Sequence, residues 1–231
     1  MDLNSNPEIS GVTMTNNGTN ALRVDGGTLT NGGTWDDPNI TYLIQDAVTV
    51  PVGKTLTIAA GQIVKFREFA SFGMTINGTL AANGTAGQPV IFTTSREDAV
   101  GGDTYNDGGI PSDAYAGQWD SIRFESTSIG SVLNNVEVRY GGSSTAAVIV
   151  DGGALNLTNS KVLASITAGL RVQGATPTVA DSVFQNNLGA AISLNLTGDV
   201  DTSGITVTGN GTNAIVVEIS RPSVPLSRVS N

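Results

Sequence analysis

The chain has 231 residues, room for one large all-β domain or two ordinary ones, with 13% charged residues against the roughly 25% usual for soluble domains and 29 glycines. Eleven basic against 20 acidic residues give a formal charge of -9, which repels phosphate backbones and anionic lipid, so neither nucleic acid nor membrane insertion is expected; no apolar run nears the ~18 residues of a membrane span. Cysteine and histidine are both absent, which removes thiolate nucleophiles, Ser-His-Asp triads, structural zinc and disulfides together.

The opening, Met1 to Asn6, has neither a basic segment nor an apolar core, so no signal peptide is expected in this chain. From Ser10 to Val24 the chain reads SGVTMTNNGTNALRV, and Ser203 to Val217 reads SGITVTGNGTNAIVV. Thirteen of the fifteen positions are identical or similar, and the offset is 193 residues (203 minus 10). That offset predicts the length of one unit in a tandem array, with the chain as one unit of a longer protein.

Next come Thr55 to Ile58, Ile63 to Phe66, Met74 to Ile76 and Val90 to Phe92, each predicted as a strand, with Gly53, Gly61, Gly78 and Gly84 at corners. An acidic, glycine-rich insertion over 95–118 then breaks the rhythm. Beyond it, apolar residues return every 22 or 23 positions. One row is Tyr140, Val162, Phe184 and Val207; a second is Val148, Leu170, Ile192 and Ile215, followed two residues later by Val150, Val172, Leu194 and Val217; a third, less regular, is Leu133, Leu155, Pro177 and Val200.

Alternation such as Val136-Glu137-Val138-Arg139-Tyr140 is the period of a strand with one buried face. Gly141-Gly142, Gly152-Gly153, Asn186-Asn187 and Asn210-Gly211 are turn chemistry between such strands. A rung of three short strands has no sheet partner of its own, so its backbone groups must pair with the rungs above and below. The fold class that satisfies this is all-β, a parallel β-helix; at ~23 residues per turn it has about ten coils over residues 1–231 as a single domain.

The run Gly53-Lys54-Thr55-Leu56-Thr57-Ile58-Ala59-Ala60-Gly61-Gln62-Ile63-Val64-Lys65-Phe66, with Gly78 to Thr85, Pro89 to Ser95 and Trp119 to Phe124 after it, resembles right-handed parallel β-helix modules of large bacterial secreted and surface proteins. Ala60 departs from the proline usual there. The resemblance implies an extracellular or cell-surface, non-enzymatic structural or adhesive role. Its implied partners are neighbouring copies end to end and surface glycans. The tail Pro225 to Asn231 looks like the lead-in to another extended segment.

The insertion carries Glu97, Asp98, Asp103, Asp107 and Asp113. Ca²⁺ takes six to eight oxygens in flexible geometry, and Asp98, Asp103 and Asp107 are the candidate ligands. The calcium-loop pattern is broken at Tyr105, and a solvated acidic insertion is the plainer reading. No other cofactor is expected. The alternative function is a polysaccharide lyase or hydrolase, for which stacking by 22 places Glu137, Asn159 and Asp181 in one outward row, the two carboxylates ~9.6 Å apart, beside Arg139 and Lys161. No catalytic residue is assigned. The seven N-x-[ST] sequons, at Asn17, Asn39, Asn77, Asn83, Asn156, Asn195 and Asn210, are expected to be turns. Thr28/Thr30 and Thr55/Thr57 raise an ice-binding ladder that the later rows do not continue, and Trp35 and Trp119 read as core caps before sugar platforms.

Overall fold

A computed structural model describes residues 1–108 and 113–219. The described residues contain 23 strands and no helix. Every strand pair between them is parallel, and the strands fall into two sheets of eight and one of seven. Sheet 1 contains Leu22–Val24, Tyr42–Ile44, Ile63–Phe66, Val90–Thr94, Val136–Arg139, Lys161–Leu163, Val183–Gln185 and Thr206–Thr208, in that order. Sheet 2 runs in the same way from Gly27–Thr28 to Thr212–Val217, and sheet 3 from Gly33–Trp35 to Asp201–Ser203. The chain visits the sheets in rotation, which makes a parallel β-solenoid of about eight turns.

Alternation drives this winding. In Thr55–Ile58 the threonines are exposed while Leu56 and Ile58 are buried, and in Leu155–Thr158 the same pattern buries Leu155 and Leu157. The inward residues of all three sheets meet in one apolar column that runs from Val24 to Leu194. Each fully buried Val, Leu, Ile or Phe contributes about 1.5–3 kcal/mol of transfer free energy, which is why short strands suffice.

The rows of sheet 2 stand as read: Val148, Leu170, Ile192 and Ile215 are in register, as are Val150, Val172, Leu194 and Val217. The other two rows are corrected. Val138, not Tyr140, pairs with Val162, and the row continues through Phe184 and Val207. Leu133 pairs with Leu157, not Leu155, and leads to Val179 and Thr202 in place of Pro177 and Val200. The connection 140–145 is two residues longer than its successor 164–167, so this turn advances 24 positions in sheets 1 and 3 and 22 in sheet 2.

Left-handed residues make the corners. Asn135, Asn159, Asp181 and Gly204 have φ of 49°, 51°, 49° and 61° and form one corner row between sheets 3 and 1; Tyr140, Ala164, Asn186 and Gly209 form the row between sheets 1 and 2. Asn and Asp tolerate this region better than most residues because their short polar side chains bond locally. Two sequons depart from the expected turns: Asn156 lies inside the strand Leu155–Thr158 and Asn83 is the last residue of Thr79–Asn83.

The turn count falls below the expected ten because residues 95–108 and 113–121, the described part of the insertion and its return, form no strand between Val90–Thr94 and Ile122–Phe124, and residues 1–21 form none either; residues 109–112 of the insertion lie outside the described residues. Residues 1–9 instead lie across the first turn, where Leu3 joins the core and the Asp25 N–H donates to the Met1 carbonyl at 2.8 Å. At the other end the strands Asp201–Ser203, Thr206–Thr208 and Thr212–Val217 are the outermost of their sheets, and Ile215 and Val217 are exposed. The tail from 220 to 231, including Pro222 and Pro225, lies outside the described residues.

Candidate functional site

The insertion folds over the outer face of sheet 1, and one lysine holds it there. Lys65 stands on Ile63–Phe66 with its side chain outward, where alternation leaves a residue in water, yet it is fully buried. Its Nζ donates to the Glu97 carbonyl at 2.9 Å, the Gly102 carbonyl at 2.8 Å and Thr104 Oγ1 at 2.8 Å. An ammonium has three hydrogens, so all three are used. Thr41 Oγ1 adds a bond to the Gly101 carbonyl at 3.0 Å, and Asn20 reaches the Thr104 and Asp103 carbonyls. Burial lowers the Lys65 pKa to about 8, against the opposing pull of Asp98, Glu97 and Asp103. Sequence reasoning missed Lys65 because nothing local distinguishes a covered outward lysine from a solvated one.

Beside this anchor the structure brings together the three expected metal ligands. Asp98, Asp103 and Asp107 each offer a carboxylate oxygen, all within 4.8 Å of one another. Burial raises the pKa of Asp98; Lys65 lowers it, while the charges of Asp103 and Asp107 raise it further. Asp107 also pairs with Arg96 at 3.0 Å, and Arg96 pairs with Glu68. Asp103 accepts the backbone N–H groups of Asp107 and Gly108, both at 3.3 Å. The remaining acids take other places: Glu97 is buried against Arg139, and Asp113 borders a small cavity with Arg96, Asp98 and Asp107.

The carboxylate row considered for glycan chemistry is not formed. Glu137 pairs in register with Lys161 and then Val183, while Asn159 and Asp181 occupy the corner row. A 22-residue spacing missed this because the turn is 24 residues long there. Glu137 is buried and accepts Lys161 Nζ at 2.8 Å and Arg139 Nε at 2.9 Å. Burial alone would raise its pKa, but the hydrogen bonds from Lys161 and Arg139 prevail and hold it below the usual carboxylate range. That is opposite to the raised carboxyl a glycosidase acid needs.

Both tryptophans are buried and so present no sugar platform. Trp119 stacks on Phe66 with ring centroids 4.1 Å apart and planes 8° apart, and its Nε1–H donates to the Arg139 carbonyl at 2.8 Å. Trp35 meets Tyr42 edge-on at 5.6 Å, and Tyr42 donates to Asp37 at 2.6 Å. The outward threonine register, Thr28, Thr49 and Thr75 in sheet 2, ends at Arg123, so this row does not extend into a long threonine ladder among the described residues.

The fold and this geometry define a parallel β-solenoid with a clamped acidic insertion. No family model, no curated protein and no solved structure matches the chain.

Proposed function

We propose that the chain is a non-enzymatic structural module, a spacer or adhesive unit of a repetitive extracellular or cell-surface protein, working beside further copies of itself and against surface glycans. The observation that carries this reading is the repetition of Ser10 to Val24 as Ser203 to Val217 at the two ends of one solenoid. A solenoid stacks neighbours into a rod at ~4.8 Å per rung, which gives length and lateral surface for few residues. The ion-paired Glu137, held as a carboxylate, and its separation in register from Asp181 support a non-catalytic role. Calcium bound by Asp98, Asp103 and Asp107 would order the insertion further.

The test is glycan degradation by the full chain alongside Glu137→Ala and Asp181→Ala. The expected result is no turnover by any of the three proteins. Turnover by the unsubstituted chain that either substitution abolishes establishes the polysaccharide-active alternative instead.

A further inference from the structure

The two copies of the repeated segment share local structure but not surroundings. Gly11 and Gly204 are left-handed with φ of 64° and 61°, and Asn16 and Gly209 likewise at 58° and 66°. In both copies an asparagine gives its backbone N–H and Nδ2–H to Oδ1 of the asparagine three residues on: Asn17 to Asn20 at 3.1 and 3.1 Å, Asn210 to Asn213 at 2.8 and 2.9 Å. The C-terminal copy uses this geometry on the turn below it. Its strands pair with Val183–Gln185 and Ala190–Leu194, and Asn210 Oδ1 receives Asn187.

The N-terminal copy has the same parts, but only its end is seated: Leu22–Val24 pairs with Tyr42–Ile44 and Asn20 bonds the Thr104 and Asp103 carbonyls, while the stretch before Asn20 has no strand beneath it. Residues 10–21 form no strand, Val12 is exposed, and a cleft separates Val12 to Met14 from Pro38 to Thr41. The glycines make the contrast sharpest. A Cβ on Gly211 would lie 2.1 Å from the Leu188 carbonyl oxygen, so that position must be glycine; a Cβ on Gly18, its counterpart, would meet nothing within 4 Å. The strand Leu22–Val24 pairs in sheet 1, whereas its counterpart Ile215 to Val217 pairs in sheet 2.

From this we infer that Ser10 to Val24 is a second terminal coil, built to seat on the Val183–Gln185 and Ala190–Leu194 edge of another copy of this chain in the place that copy's own Ser203 to Val217 occupies. The register transfers directly: Thr15 falls on Gln185 as Thr208 does, and Leu22 on Ile192 as Ile215 does. Asp25, the counterpart of Glu218, comes to Arg171 and Ser193, which Glu218 engages in the single chain. Val183 to Leu194 and Ser10 to Leu22 carry no charge, so a chain of net -9 meets its copy at a neutral surface. In each copy the second asparagine occupies the first one's donors, so the asparagine ladder ends at that corner. Exchange in place of continuous stacking makes an array a series of ended solenoids. This inference rests on the reading of the chain as a module among copies of itself.

The chain lacks cysteine, so an engineered pair reports alone. Thr15→Cys with Gln185→Cys is made in three backgrounds: the intact terminal coil, Thr206→Pro, which removes the N–H bonded to the Ser182 carbonyl at 2.9 Å, and Val207→Asp. Within one chain the two cysteines lie about six rungs, or ~29 Å, apart, far beyond disulfide reach. Gln185→Cys with Thr208→Cys is the intrachain control. The expected result is disulfide-linked dimer that rises with protein concentration and increases about tenfold for each ~1.4 kcal/mol by which the substitution unseats the resident coil. An excess of Ser10–Val24 peptide suppresses it. Absence of linked dimer in all three backgrounds while the control closes overturns the inference, as does linkage of Thr15→Cys to Thr208→Cys between copies, which reports stacking on the intact coil. The readout is independent of glycan turnover, so an enzyme that exchanges its coil and a structural module that does not give different pairs of results.

Discussion

Asn187 gives both its backbone N–H and its Nδ2–H to the single Oδ1 of Asn210, at 3.1 and 2.8 Å, while its own Oδ1 accepts the Ser165 N–H at 2.9 Å. Asn187 is fully buried, and its Nδ2 also reaches the Val162 carbonyl. A side-chain ladder thus adds to the backbone bonds from Leu188 N–H to the Ser165 carbonyl and from Gly211 N–H to the Asn187 carbonyl at the corner between sheets 1 and 2. Asn187→Ala leaves the Ser165 N–H without that acceptor, and a buried unsatisfied donor costs about 1–3 kcal/mol. Denaturant melts should show that loss for Asn187→Ala and a change within about 0.5 kcal/mol for Asn17→Ala, which is exposed. Equal effects at the two positions would refute the ladder as a stabilising device.

Calcium should raise the melting temperature of the chain relative to chelator, because an ion bound only by the folded insertion adds about 2.7 kcal/mol at 100 times its dissociation constant. Asp103→Asn, which removes one of three carboxylates held within 4.8 Å, should abolish the shift. Superimposable melting curves with and without calcium would leave the cluster as a solvated acidic surface.

Lys65 makes stability depend on pH with a definite sign. Its pKa falls from 10.5 to about 8 on folding, so between those values the unfolded chain holds a proton that the folded chain has released. Stability then rises as pH increases through that window, because the unfolded state binds more protons there. Lys65→Met should lack this rise in urea melts across the same range. Parallel pH profiles for the two proteins would show that the buried amine keeps its proton.

Trp119 carries the insertion's return to the coil path. Trp119→Ala empties the stack on Phe66, a truncation that costs about 3–5 kcal/mol, and frees the Arg139 carbonyl as well. Trp119→Phe should recover part of the stability by keeping a ring on Phe66. Thermal melts that rank Phe with Ala would show that the indole hydrogen bond, not the stack, holds this corner.

The apolar alternation of Thr55 to Ile58, and the constant spacing of Val148, Leu170, Ile192 and Ile215, determine a parallel solenoid from the sequence alone, because a half-buried strand of period two with no local partner must pair with its own repeat. The gathering of Asp98, Asp103 and Asp107 was legible as well, since all three lie on one short insertion. Register in sheets 1 and 3 was not, because the two extra residues at 140–145 are absorbed in a corner whose length only the folded turn reveals. The burial of Lys65, the pairing of Glu137 with Lys161 and the differing seats of Ser10 to Val24 and Ser203 to Val217 were decided by tertiary structure alone. An outward position on a strand is solvated, ion-paired or covered according to what a distant segment lays over it, and local sequence carries no record of that segment's path.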